Sequence, residues 1–207
     1  MDEALQVRRF WFGKTPVTRE TLPERLALWF GTELAPPARR AVDELIRSRF
    51  GSLIEQAAAG ALAAWAGSPR RRLSLILLLD QFPRHAFRGT ERAFAADRDA
   101  LALTLSGMQL AADAALTPLE RIFFYMPLQH AELSDAQEES VSAYRRLRPE
   151  APSELQELFA SSLASAEHHL EIIARFGRFP HRNRALGRQS TPEEERYLGA
   201  TAERFGQ

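Results

Sequence analysis

"TPLERIFFYMPLQHAE", Thr117–Glu132, is the stretch that decides how this chain folds. Thr117 is placed to cap a helix. Pro118 takes the first helical position, where its missing N–H costs nothing, and Glu120 follows the cap by three residues, the spacing that lets its carboxylate return to the cap backbone. The same device recurs in "TPEE" (Thr191–Glu194), with weaker versions in "SDAQ" (Ser134–Gln137) and "SELQ" (Ser153–Gln156). No segment shows the period-2 alternation of β-branched residues that strands need. The pattern predicts a helix over 118–131 and an all-α protein. Pro127 interrupts that helix and frees a carbonyl, either aiming Gln129, His130 and Glu132 into a cavity or marking the helix end.

Outward from this stretch, further helices are expected near 3–12, 19–30, 38–50, 51–66, 69–81, 93–113, 135–147, 153–176 and 191–205. Gly13, Gly31, Gly51, Gly67, Gly177 and Gly206 serve as stops. No linker rich in Gly, Ser or Pro divides the 207 residues, so one helical domain over 1–207 is expected. The residues themselves show no tetratricopeptide signature or 34-residue period.

Composition narrows the function classes. Apolar residues make up 45%, charged residues 26%, and net charge is zero, an ordinary globular profile and not that of a dedicated nucleic-acid binder. There is no cysteine, which excludes disulfides, thiolate nucleophiles and Cys-ligated metals. The longest apolar run, "LSLILLL" (Leu73–Leu79), is too short to span a membrane and suits a buried helix. Acids lead the N-terminus and no apolar signal region follows, so a cytoplasmic location is expected. Of 27 basic residues Lys14 is the only lysine, leaving 26 arginines. Together with abundant alanine this looks like codon bias, so a lone arginine carries no argument.

A cluster of arginines without acids is harder to explain by bias. "FGRFPHRNRALGR", residues 176–188, holds Arg178, Arg182, Arg184 and Arg188, with Arg175 just before it. It echoes "FPRHAFRG" (Phe82–Gly89): each follows a long apolar helix, begins Phe-Pro, mixes arginine with histidine and reaches glycine. Proline disfavours helical geometry in the residue before it, so both pairs are expected to end a helix. If the two turns meet, they form one basic pocket. Asp80, after seven residues of "LSLILLL", is expected to be buried and to need a cation, with an arginine from 175–188 as the expected partner. Asp97 is either a surface acid or a second partner. On helix 153–176 the stripe Leu155, Phe159, Leu163, Ala166, Leu170 and Ile173 puts His169 at the core edge and His168 toward solvent.

The strings "LILLLDQFPRHAFRGTERAFAAD" (Leu75–Asp97), "ERIFFYMPLQHAE" (Glu120–Glu132) and "HLEIIARFGRFPHRNRALGRQSTPEEERYL" (His169–Leu198), with "FWFG" (Phe10–Gly13) and "WF" (Trp29–Phe30), resemble the bacterial domain-of-unknown-function family numbered 924. The resemblance covers nearly the whole chain. His85 stands where the family pattern leads us to expect asparagine, and Ala131 where it leads us to expect serine. The resemblance implies a tetratricopeptide-like, right-handed array of antiparallel helices. It implies no established activity.

Three functions are open at this level. In the first, a cleft binds a small anionic ligand or an acidic peptide end: Arg84, Arg88, Arg178, Arg182, His130, His169, His181 and Asn183 line it, and Asp80, Asp97 and Glu132 orient the arginines, whose forks suit carboxylate or phosphate. In the second, histidine and aspartate perform acid–base hydrolysis, although no G-x-S-x-G motif, cysteine or P-loop supports it. In the third, Arg–Asp pairs lock helix ends in an interaction scaffold. His130, Glu132, His169 and Asp80 are acceptable metal ligands, but their spacing matches no signature and no metal is expected. The residues leave any cofactor and the oligomeric state open.

Overall fold

Prolines and glycines set the element order in the computed structural model, which describes residues 2–31 and 34–200. The α-helices among the described residues are α1 (Glu3–Phe12), α2 (Leu22–Phe30), α3 (Pro36–Ala58), α4 (Pro69–Leu79), α5 (Gln81–Ala86), α6 (Asp97–Gln109), α7 (Pro118–His130), α8 (Ser134–Leu147), α9 (Gln156–Phe176) and α10 (Pro192–Ala200). Short 3-10 turns join several of them, and no strand occurs among the described residues. The stop expected at Gly206 and the end of helix 191–205 lie outside the described residues.

Both Thr-Pro-x-Glu starts act as capping boxes. In α7 the Glu120 amide donates to Thr117 Oγ1 at 3.3 Å and the Thr117 amide to Glu120 Oε2 at 3.0 Å. In α10 the Glu194 amide donates to Thr191 Oγ1 at 3.2 Å and the Thr191 amide to Glu194 Oε2 at 2.7 Å. The two weaker versions do not cap. Leu133 and Leu155 hold the cap positions of α8 and α9 without side-chain bonds.

The helices expected over 38–50 and 51–66 are one helix, α3, followed by a 3-10 turn over Ala63–Gly67. Glycine weakens a helix interior by only about 1 kcal/mol. Ile46, Phe50, Ile54 and Ala57, spaced for one buried face, carry α3 past Gly51. The chain turns instead at Gly60, where φ is +76°, with Ala61 N–H donating to Gln56 O at 2.9 Å.

Leu73–Leu79 is buried at every position. A helix apolar on all sides must be covered on all sides, and α4 packs against α1, α3, α6 and α7. One contiguous core runs from α1 to α9, with Trp11 edge-on to Phe123 at 5.7 Å and 5.3 Å from Phe82. A smaller cluster of Ile172, Ile173 and Phe179, with Phe176 and Tyr197 against it, joins α9 to α10.

α4 stops at Leu79 because Pro83, four residues on, cannot donate to the Leu79 carbonyl and its ring crowds it. The chain turns through Asp80 and re-enters a helix at once. Phe82-Pro83 therefore lies inside α5 and does not mark a helix exit. The helix expected over 93–113 begins only at Asp97, its first residue.

Candidate functional site

The break after the central helix leaves Asp80 fully buried between α4 and α5. Its partners differ from the expected arginine of 175–188. α5 restarts so soon that Arg84, one helical turn on, returns to Asp80: Nη1 donates to the Asp80 carbonyl at 2.6 Å and lies 3.3 Å from Oδ1. The sequence-distant partner is His130, the last residue of α7, whose Nδ1–H donates to Oδ1 at 2.7 Å. Gln81 donates to Oδ2. Burial alone would push the carboxyl up, but Arg84 and His130 hold it well below the usual carboxylate range.

Arg84 also forks onto Asp97, both contacts at 2.9 Å. Asp97 opens α6, where the positive end of the helix dipole favours a carboxylate. Asp97 then receives a second arginine. The short turn Pro180–Arg182, entered through Gly177 at φ +68°, puts Arg182 Nη1 3.2 Å from Asp97 Oδ2. The Arg182 guanidinium lies 4.8 Å from the Phe94 ring centroid and 4.5 Å from that of Phe179. Only 5% of the residue is exposed, and its buried Nε has no hydrogen-bond partner among the described residues. Burial, with Arg84 adding to it, brings the Arg182 pKa down to about 10 despite Asp97. The two Phe-Pro segments thus meet at Asp97.

Phe179 gathers the remaining histidines, its ring lying 5.2 Å from His169 and 5.5 Å from His181. His169 is buried, as its place at the stripe edge suggested, and its Nδ1–H donates to the Ser165 carbonyl at 2.7 Å. Burial pushes His169 down to about 3 and His181, which also faces the Arg182 charge, to about 2. Burial and Arg84 lower His130 as well, against the pull of Asp80. These imidazoles are therefore neutral near pH 7.

Other residues named from the sequence lie apart from this junction or serve to hold it. Arg88 goes to Asp43, at 2.8 and 2.9 Å, beside His85. Arg178 forks onto Glu194, the capping glutamate of α10, at 2.7 and 2.9 Å. Asn183 bonds Ser190 and Glu194 and accepts from Arg188. Glu132 forks onto Arg188 at 2.7 and 2.9 Å and accepts the Phe179 amide at 2.8 Å, pinning the turn from below. Arg184 is exposed. The expected convergence of Arg84, Arg88, Arg178 and Arg182 does not occur, because Asp43 and Glu194 draw two of them away. Sequence reasoning missed those acids, although the capping box already marked Glu194 as a fixed carboxylate. It also missed Phe94 and Phe179 as the faces that hold Arg182.

Among the described residues no group of three His, Asp or Glu side chains could hold a metal ion, and no helix is long and apolar enough to cross a membrane. The family model described as bacterial protein of unknown function (DUF924) matches residues 7–202. A solved structure of a protein of unknown function from Agrobacterium tumefaciens is 33% identical, with a TM-score of 0.77, covering 96% of this chain and 97% of that one. No curated protein matches the chain.

Proposed function

This chain belongs to the DUF924 family, and on its own geometry we propose that it binds a small anionic ligand, or the acidic end of a peptide, at the junction of Arg84, Asp97 and Arg182. The observation that carries this reading is the state of Arg182. A guanidinium has five N–H donors. This one is buried, shares its carboxylate with Arg84, and keeps a buried Nε without a partner among the described residues. An unmet buried donor is costly, and an anion at this point meets it in a medium where charges attract strongly. His130, which shares Asp80 with Arg84, keeps 16% of its side chain exposed. The same proposal takes α7, α8 and α9, each packed on the next, as part of a tetratricopeptide-like superhelix.

A second reading is supported by the forks already filled. Arg84, Arg88, Arg178 and Arg188 each hold a carboxylate at two points, as in a scaffold whose ion pairs lock helix ends. The melting temperature separates the two. Phosphate, sulfate or citrate is compared with chloride at equal ionic strength, on wild type and Arg182→Ala. Binding to the native state at about 100 times the dissociation constant adds about 2.7 kcal/mol to the wild type. The variant is expected to lose that increment whatever its own stability. Equal increments in both proteins identify general salt exclusion and leave the scaffold reading standing.

A further inference from the structure

We propose that Asp80 and His130 form a reactive pair, in which His130 Nε2 is a nucleophile that takes up a small, uncharged acyl group and Asp80 is the positioning residue. The inference goes beyond the anion-binding reading above and does not depend on it. Asp80 is fully buried and ionised, so it can only accept hydrogen bonds. The 2.7 Å contact therefore puts the imidazole proton on Nδ1 and the lone pair on Nε2. Nε2 has no hydrogen-bond partner among the described residues and is not one of the buried side-chain atoms left without one, so it reaches the surface. The end of α7 is held as well: the Gln137 amide donates to the Gln129 and Ala131 carbonyls on either side of His130, both at 2.7 Å. His85 also meets a carboxylate through Nδ1, but that residue is only 5% exposed and its ring hydrogen-bonds the Trp29 backbone.

Histidine is among the side chains that form covalent intermediates, and a carboxylate on Nδ1–H both orients the ring and stabilises the imidazolium that forms. Nε2 gives its lone pair to the carbonyl carbon, the bond from that carbon to its leaving group breaks, and the leaving group departs with the electron pair. The ring becomes cationic, with its Nδ1–H still on the Asp80 carboxylate. Arg84 opposes this charge, Asp80 and Asp97 favour it, and the buried His169 and His181 are neutral near pH 7. Before the reaction, burial and Arg84 keep the ring neutral and its lone pair free. A phosphoryl group brings negative charge and needs a cation at the ring, but Arg84 is already shared between Asp80 and Asp97. A carbonyl needs none, and with 16% of the side chain exposed the opening suits a small donor.

The test treats the full chain near pH 7 with diethyl pyrocarbonate, a small uncharged acyl donor that forms the Nε2–C bond and releases ethanol and carbon dioxide. Mass spectrometry of peptides follows the rate at each histidine. His168 is the internal reference, because 34% of its side chain is exposed against 16% for His130. His130 is expected to react at least as fast as His168 despite its smaller exposure. A carboxylate this close raises the proton affinity of an imidazole by about 1–3 pKa units, so Asp80→Asn is expected to slow His130 by about tenfold and to leave His168 unchanged. A merely structural role for Asp80 predicts the opposite sign, since loosening the end of α7 exposes the ring and speeds its labelling. If the variant fails to fold, the wild-type ranking decides. His130 unlabelled or slower than His168, or a His130 rate that is unchanged or raised in Asp80→Asn, overturns the inference and leaves anion binding at Arg182 untouched.

Discussion

Asp43 and Asp80 have closely similar surroundings. Each is a buried carboxylate, each meets a histidine Nδ1, at 3.1 Å for His85 and 2.7 Å for His130, and each meets an arginine. What differs is what lies beyond. Around Asp43 the contacts end on its own partners: Arg88 forks onto the carboxylate, the His85 ring stands edge-on to Trp11 at 5.8 Å, and the Trp29 backbone engages that ring as well. Around Asp80 the network leads outward, through Arg84 to Asp97, then to Arg182 with its unmet donor, and through His130 to a free nitrogen lone pair. The same three residue types make a sealed clasp in one place and an open junction in the other. The anion-binding proposal rests on these open ends and not on the Asp–His–Arg composition.

The Asp43 cluster should be costly to break by truncation. Asp43→Ala leaves Arg88 and His85 facing each other without the acid, and removing one member of a buried pair costs about 3–5 kcal/mol. Urea or thermal unfolding reads this directly, and phosphate should not restore the loss. A cost below about 1 kcal/mol, or rescue by phosphate, would mean that the Asp43 cluster is open too and would remove the contrast.

Much of the fold could be read from the residues, because the signals are local. The Thr-Pro-x-Glu boxes, the glycines at 13, 31 and 177, and the apolar run of α4 each act within a few residues, and each appears where expected. Gly51 misled because its effect depends on whether neighbouring side chains find a core, which is a tertiary question. Pro83 misled because proline breaks a helix four residues back, at Leu79, so that Asp80 acquired Arg84 as a local partner. The site was legible as a set of residue types but not as pairs. Asp80, Asp97 and His130, all named from the sequence, lie in one network, with Asp80 on His130 and Arg84 bridging Asp80 to Asp97. Nothing in sequence spacing shows that Arg88 turns to Asp43, or that Arg178 turns to Glu194.

Acid should separate the two regions by the pH at which each responds. Burial raises Asp43, but Arg88 and His85 overrule it and bring the carboxyl from 3.8 to about 2. A depressed carboxyl contributes stability that is present above 3.8 and lost as pH falls toward 2, here worth about 2 kcal/mol. The buried histidines act earlier. Their folded pKa values lie below 6.5, so the unfolded chain takes up protons first and stability declines from pH 6.5 downward. Unfolding free energy followed from pH 8 to pH 2 is expected to fall in two stages. Asp43→Asn should make the stage below pH 4 shallower, with Asp80, Glu132 and Glu194, also depressed, supplying the rest, and leave the onset near pH 6.5 in place. A variant whose lower stage matches the wild type would show that the Asp43 pairing contributes nothing.

The smallest expected effect is the sharpest control on the open junction. Arg184 stands two residues after Arg182 in the same turn but is exposed, where Arg182 is buried between Phe94 and Phe179. Exposed substitutions away from caps and pairs change stability by no more than about 0.5 kcal/mol, so Arg184→Ala should leave both the melting temperature and the phosphate response of the wild type unchanged. Arg182→Ala should abolish that response. If both variants weaken it equally, the turn attracts anions through its summed charge and not through one buried donor. Ionic strength then decides: attraction by an exposed field fades once the Debye length shrinks to about 8 Å at 0.15 M salt, whereas a hydrogen bond to the buried Nε of Arg182 persists.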